Sequence, residues 1–424
     1  MNPAFMPRQG YAGVPGLSSV TVESNANALY LDNLIFDRNG SKVTFLHPSV
    51  SSSEFLSNLP DVSNLSANLN LQPISFGFFT KSGAFWSFGI GVKGIVDVNV
   101  PKPLFELIKV GFTSENKTVN YQIRDLGMSV NAYSEITAGY ARNFLDNKLS
   151  VGAKAKLLLG LASLDLNVET LDVTAQREVW TARSKATLKG SGIKATYDED
   201  GLFDSIETDL SGIGGFGLGL DLGAAYKLLN DKLKVSLAFT DLGFISWSGS
   251  SSVDLKAPET TITVTPGQDS SLGSDFDFKE SFDTAISDIR EAINFKESSK
   301  AQGRTMILHT TVNAGAEYEI IPDLSAGLLS STYLGSNLGT ELTLSANYNP
   351  VKLKWLSAAL SYSFMYGEFN TVGAALHLAP SKIIHFFIAG DYLMPNVNSQ
   401  FLPVNSKSIN VQLGLAIPIG KAID

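Results

Sequence analysis

The feature that most constrains the fold of this chain is an alternation of apolar and polar side chains that recurs in many segments. In Phe85–Asn99, large apolar residues such as Trp86 and Ile90 share one face, whereas Gly91 and Lys93 share the other. Because successive side chains of a strand point to opposite faces, this segment predicts a strand with one apolar face. A soluble sheet would then turn glycine and lysine to water over many strands. The inverse arrangement, apolar outside and polar inside, is typical of a barrel in lipid.

The same alternation returns along most of the chain, mostly in runs of about 9–15 residues, long enough to cross a bilayer as tilted strands. The further runs are Leu126–Tyr140, Leu149–Leu161, Phe216–Leu228, Met306–Tyr318, Thr340–Tyr348, Leu356–Tyr366, Val372–Leu378 and Ile409–Ile417. Leu65–Leu71 and Ile74–Phe78 have opposite phases across Pro73, which predicts a bulge or kink there. We therefore predict an all-β fold, a transmembrane antiparallel β-barrel of about 14 strands.

Short and long connections alternate between the predicted strands, as antiparallel spanning strands require. We expect residues 1–16 to form an N-terminal segment in the periplasm or inside the barrel, and residues 17–424 to form the barrel. Two long connections, 163–213 and 248–304, read as extracellular insertions, the first with strand extensions or a hairpin. The second contains one helix whose apolar face packs on the barrel rim as a lid, plugs the barrel or docks a partner. The face of this loop helix comprises Phe278, Phe282, Ile286, Ile289 and Ile293.

Composition and motifs give no support to catalysis. The chain has no cysteine, which excludes disulfides and thiolate metal sites, and its net charge of −9 gives no reason to expect nucleic-acid binding. The Gly-x-Gly-x-x-Gly pattern at 212–217 leads into an alternating strand and not a helix, so it does not predict a dinucleotide site. Of the four histidines, His309 and His377 should face the lumen, but no spacing brings them together. We expect no enzyme activity, no cofactor and no metal.

The phase of the alternation predicts which charged residues face the lumen. Their mixed signs favour an interior crossed by ion pairs, and glycines on the same face leave room for a plug or a ligand. The predicted lumen-facing residues are Lys93, Asp97, Glu135, Lys154, Lys156, Asp221, Lys234, Glu317, Glu341 and Asp391.

Three short motifs carry a resemblance to known proteins. The opening Asn2-Pro3-Ala4, the stretch at 15–19 and the Thr-Asp-Leu-Gly-Phe stretch at 240–244 resemble an uncharacterised family of Bacteroidota outer-membrane proteins. That family is distantly similar to FadL-like fatty-acid transporters and to PorV-like barrels of the type IX secretion system. Both groups are 14-stranded, and in the transporters the Asn-Pro-Ala lies in the segment that plugs the lumen.

The resemblance implies two roles in the bacterial outer membrane. The first is FadL-like passive transport of a hydrophobic small molecule. The second is that of a non-enzymatic accessory or scaffold subunit of a larger outer-membrane complex, which grips a protein partner through its extracellular loops. Outer-membrane lipid is the surroundings expected in both cases, and the sequence leaves both roles open.

Overall fold

The computed structural model of the protein describes residues 2–29, 31–38, 40–110, 118–175, 180–197, 203–208, 212–249, 252–264, 295–297, 302–335, 339–365, 368–380, 383–391 and 408–420. Its dominant feature is one large antiparallel sheet. The strands that form the wall of this sheet are β1 Gly10–Gly13, β2 Ser19–Ala26, β5 Val62–Phe79, β6 Phe85–Pro101, β8 Leu126–Phe144, β9 Leu149–Ala175, β13 Gly215–Leu228, β14 Leu233–Trp247, β17 Arg304–Ile307, β18 Thr311–Ile321, β19 Leu324–Tyr333, β20 Thr340–Tyr348, β21 Leu356–Met365, β22 Glu368–Leu378, β23 His385–Asp391 and β24 Ser408–Ile419.

The wall closes on itself. The strands at each position of the wall pair with those at the next position along the chain, and β24 pairs back with β1 and β2. The remaining pairs run without a gap from β18 to β24. With β1 and β2 sharing one position and β17 and β18 another, the described residues give 14 positions in a closed barrel. The predicted fold class is confirmed.

The first wall position is built from two short strands. β1 lies within the segment 1–16, yet it joins the wall through pairs with β24 and β5. Between β1 and β2 the chain leaves the ladder, and the amide of Gly16 donates to the carbonyl of Pro73 on β5 at 2.9 Å. The register of β5 against β6 shifts between Leu71 and Ile74, so the bulge predicted at Pro73 is confirmed. Because β5 has one extra residue here, the apolar side chains of both its halves point outward.

Side-chain exposure separates an apolar outer surface from a polar inner one. Leu218 is 60% exposed and Leu360 is 64% exposed, although both lie within regular strands. Lys156 and Asp221, on the opposite face of the same wall, are buried. This inversion of the soluble pattern places lipid outside, since in hydrocarbon a closed sheet satisfies every backbone polar group internally.

The connections between strands are short turns at one end of the barrel and long segments at the other. We call these ends the short-turn end and the long-connection end. At the long-connection end β9 continues past the wall and pairs with β10 Trp180–Ser191 and β7 Val119–Ile123. The strand extension predicted within 163–213 is thus confirmed. The elements at the long-connection end form a cap over the barrel. Its other strands are β3 Ile35–Arg38, β4 Ser41–Thr44, β11 Ile193–Tyr197, β12 Phe203–Thr208, β15 Ser252–Val264 and β16 Lys296–Glu297.

Three short helices belong to the same cap, α1 Leu31–Leu34, α2 Ser52–Leu56 and α3 Lys102–Val110. The side chain of Ser51 caps α2 by accepting from the amide of Glu54. Phe55 of α2 and Phe105 of α3 pack edge to face at 5.7 Å between ring centroids and close one apolar core of the cap. The loop helix predicted around 278–293 lies outside the described residues.

Among the residues that the structure describes, no helix has the length and apolarity needed to cross a membrane.

Two leucines of β13 give a test of the lipid-facing surface. Leu222 lies near the middle of β13 and Leu228 is its last residue, and each is 40% exposed on the outer face. We expect Leu222→Arg to lower the free energy of unfolding in lipid vesicles by about 2–4 kcal/mol. Leu228→Arg, the matched control near the interface, should cost no more than about 1 kcal/mol. Equal effects of the two substitutions would contradict the assignment of this face to the bilayer.

Candidate functional site in the barrel interior

A compact group of charged side chains crosses the interior where five neighbouring strands meet. The Lys93 ammonium lies 2.9 Å from a carboxylate oxygen of Asp241 and 3.5 Å from one of Glu135. The Lys156 ammonium lies 2.7 Å from both Asp221 and Asp241. Asp241 therefore bridges the two lysines, and we call these five residues the ion-pair layer. Four of its members were predicted to face the lumen.

Asp241, the centre of the layer, was not among the predicted lumen-facing residues. Strict alternation places Thr240 inward and its neighbour outward, but the register of β13 against β14 shifts between Leu220 and Leu222. Asp241 has a φ of +58°, in the left-handed region that aspartate and asparagine tolerate better than most residues. This bulge turns its side chain inward, and its amide donates to Asp221 at 2.8 Å. The Thr-Asp-Leu-Gly motif was the only sequence signal for it.

The ion-pair layer is buried enough for its pairing to matter. Lys156 and Asp221 are each 5% exposed. A buried charge without a partner is costly, whereas a buried pair with good geometry approximately offsets its own desolvation. Here the two lysines face three carboxylates, and Lys154 lies opposite Asp221 in the register of β9 and β13. The layer thus forms a nearly neutral cross-link between five neighbouring wall strands.

An apolar layer lies directly beyond the ion-pair layer, toward the long-connection end. Its buried members are Tyr133, Leu158, Ile245, Trp247 and Leu308. Along β9 the order is Lys156, then Leu158 two residues further, and alternate residues of one strand face the same side. Leu158 and Ile245 are fully buried although they point away from lipid. The interior therefore changes from charged to apolar within about two residues of strand, roughly 7 Å.

The N-terminal motif Asn2-Pro3-Ala4 lies against the inner wall on the other side of the ion-pair layer. The side-chain amide nitrogen of Asn2 donates to the backbone carbonyls of Ala224 and Leu237 at 3.3 and 3.4 Å. Its own side-chain oxygen accepts from the amide of Ala4 at 2.9 Å. Asn2 and Ala4 are both buried.

Two inward glycines of the wall make room for this motif. A Cβ at Gly223 would lie 2.0 Å from the Asn2 side-chain oxygen, and one at Gly152 would lie 2.2 Å from the Pro3 carbonyl oxygen. Contacts this short are not tolerated between real atoms, so only glycine leaves the space. The space beside these inward glycines is therefore occupied by a segment of the chain itself.

Except for Lys154, which lies opposite Asp221, the other predicted lumen-facing residues lie apart from the ion-pair layer. Lys234 pairs with Glu317 at 2.7 Å, and its ammonium also lies 5.0 Å from the centre of the Phe5 ring. Asp97 accepts a hydrogen bond from Ser66 of the neighbouring strand, Asp391 accepts one from Ser361 two strands away, and Glu341 accepts one from Thr343. The predicted set is thus divided between one cluster, one separate pair and isolated groups.

The histidines are arranged differently from the pair considered in the sequence. His377 lies edge to face with His385 at 5.4 Å between ring centroids, whereas His309 lies beside Gly335. In the described part of the chain, no group of three or more histidine, aspartate or glutamate side chains is placed to hold a metal ion.

Comparison with known proteins adds a family and a set of distant structures. The model of a family of unknown function, DUF5723, matches residues 3–391. No curated protein matches the chain. A crystal structure of the P. putida toluene transporter TodX aligns with 10% identity over 99% of this chain and 93% of that one, at a TM-score of 0.40. The translocator domain of the autotransporter NalP from Neisseria meningitidis aligns with 6% identity over 98% and 90%, at a TM-score of 0.33.

Removing the charge of Asp241 tests the ion-pair layer. Asn also tolerates a positive φ, so Asp241→Asn keeps the bulge while it leaves Lys93 and Lys156 with fewer counter-charges. We expect it to destabilise the folded barrel by about 3–5 kcal/mol, read from unfolding in detergent. Asp231→Asn, at a turn residue that also has a positive φ, is the matched control and should leave stability unchanged. A stability loss no larger than the control's would mean that the layer is not a cross-link.

A methyl group at position 223 tests whether the N-terminal motif rests on the wall. Because the chain has no cysteine, Ala4→Cys provides a single thiol at a buried position. We expect a maleimide to label this thiol slowly in the parent protein and much faster after Gly223→Ala, which displaces Asn2. Gly94→Ala is the control, since the nearest atom to its Cβ is 3.9 Å away. Equal labelling rates in all three backgrounds would refute the contact.

Proposed function

We propose that this chain, which belongs to the family of unknown function DUF5723, is a FadL-like passive conduit for a hydrophobic small molecule in the bacterial outer membrane. The conduit is non-enzymatic, and its long-connection end faces the cell exterior. The observation that carries the proposal is the apolar layer inside the barrel. Buried leucine, isoleucine and tryptophan side chains turned away from lipid are the lining that apolar ligands require.

The neighbouring ion-pair layer supports the same role by excluding a different one. An open pore for ions and sugars keeps its charged lining in water, whereas Lys156 and Asp221 are paired and buried. On the side of the barrel bounded by β6 to β14, the interior therefore offers a small hydrated solute no water-filled path. An apolar molecule that reaches the apolar layer has to leave the lumen beside the ion-pair layer or through the wall.

The wall has an irregular place that suits such an exit. Between β1 and β2 residues 14–18 have no ladder pairs with β5, although Val14 and Leu17 still hydrogen-bond Leu415 of β24, and on β5 the register shifts at Pro73. The Pro73 carbonyl accepts from the Gly16 amide and, at 3.2 Å, from the Ser18 hydroxyl. Proline has no amide hydrogen to restore the ladder. The strand pairing is thus irregular at two neighbouring wall positions at the same level of the barrel. We propose that the molecule passes laterally there into the membrane.

The cap at the long-connection end favours a second role. Its strands enclose their own apolar core, in which Ile123, Leu171 and Leu255 are fully buried. A core of this kind makes a firm platform and exceeds what a simple pore needs. The alternative proposal is accordingly an accessory or scaffold subunit, PorV-like in role, whose cap grips a protein partner.

Uptake measurements on cells that express the protein test the lateral exit. Pro73→Ala supplies an amide hydrogen and lets the ladder of β5 close, so we expect uptake of a radiolabelled hydrophobic probe to fall severalfold. Pro322→Ala, in the exposed turn between β18 and β19, is the matched control and should leave uptake unchanged. Barrel abundance in the membrane must be equal in all strains. Uptake that matches that of cells without the protein, in every variant and in the parent, would contradict the conduit and favour the scaffold.

A further inference from the structure

Two buried N–H donors at the top of the apolar layer have no acceptor among the described residues. They are the indole Nε1 of Trp247 and the Nε of Arg304. Trp247 is 1% exposed, and the two residues lie directly opposite each other in the register of β14 and β17. A buried donor without an acceptor costs about 1–3 kcal/mol. Such a pair side by side indicates a missing acceptor.

The orientation of Trp247 is fixed by glycines of the wall. The edge of its six-membered ring lies 2.6 Å from where a Cβ of Gly160 would be and 3.0 Å from that of Gly215. Because the indole nitrogen lies on the opposite edge of the ring, the N–H points away from these two strands. Gly160 and Gly215 therefore make room for the ring edge that carries no nitrogen, and the donor lies on the other edge.

The hydrogen bond that positions Arg304 is made by a guanidinium nitrogen other than Nε. Its Nη2 donates to the Ser163 hydroxyl at 2.6 Å, and Ser163 in turn donates to the side-chain oxygen of Asn131 at 2.7 Å. This chain of hydrogen bonds positions the guanidinium from one end. The Nε–H is left without an acceptor, next to the indole.

Charge around the two donors argues against an anion. Asp165 and Asp254 both lie close enough to act on the charge of Arg304. One buried carboxylate oxygen of Asp254 also has no donor. A ligand carboxylate would meet two carboxylates of the protein for one arginine, and like charges in a poorly hydrated site repel strongly. An uncharged oxygen avoids this cost and still accepts from both donors.

We propose that Trp247 and Arg304 bind the oxygen of an uncharged apolar molecule that carries a hydroxyl or carbonyl group, while its hydrocarbon part lies on the apolar layer. The site rests on the proposed conduit and defines its substrate class. Leu158, Ile245 and Leu308 are the aliphatic members of the apolar layer against which the hydrocarbon part would pack.

The test compares three eight-carbon probes on the full chain in lipid nanodiscs. Binding of tritiated 1-octanol is measured with empty nanodiscs as the blank, and octanoate and n-octane compete for it. We expect saturable octanol binding that octanoate displaces poorly. Trp247→Phe keeps an aromatic ring without its donor, and Arg304→Lys keeps the charge without the Nε. Each should weaken octanol binding about tenfold.

Matched controls use the same exchanges elsewhere. Trp355→Phe and Arg142→Lys lie at exposed positions of the barrel and should leave octanol binding unchanged. Octanol binding that n-octane displaces fully and that neither site variant weakens would overturn this site but leave an apolar conduit in place. Octanoate as the stronger competitor would overturn the uncharged ligand. Absence of any saturable binding would overturn both the site and the proposed conduit, and a buried water would then be the acceptor.

Discussion

Closure of the sheet is the constraint on which the rest of this structure depends. In hydrocarbon every backbone polar group needs a partner within the protein, so the ladder has to return from β24 to β1 and β2. Once the apolar faces point to lipid, the polar faces of all wall strands are turned toward one another. The interior then needs its own means of satisfying charge, and the ion-pair layer around Asp241 provides this on one side of the barrel.

Much of the wall was predictable because every second residue of a strand in lipid is apolar, which shows which face of the strand points outward. The run at 340–348 became a strand with the same bounds, and the phase change across Pro73 became a register shift. The inward direction of Lys93 and Lys156 followed from the same periodicity. Their pairing partners did not, since alternation gives the facing of a side chain and not the distance it spans across the barrel.

Asp241 shows where periodicity fails in physical terms. A bulge inserts one residue into one strand, so the phase before it does not predict the phase after it. A position of the N-terminal segment inside the barrel was one of the two expectations, but the contacts of its motif were beyond prediction for another reason. Asn2 is far in sequence from Ala224 and Leu237, and no local pattern links a short turn to the glycines that make room for it. Both features depend on contacts between distant parts of the chain, and both lie where the interior is most specific.

The interior is thus ordered along the barrel axis, with the N-terminal motif, the ion-pair layer and the apolar layer in sequence toward the cap. Mass spectrometry of everything that co-purifies after gentle detergent extraction from native membranes tests most directly whether this interior holds an apolar ligand. We predict a bound uncharged apolar molecule that bears a hydroxyl or carbonyl oxygen. A stoichiometric protein partner, with no small molecule bound, would contradict the conduit and make the cap the functional part of the protein.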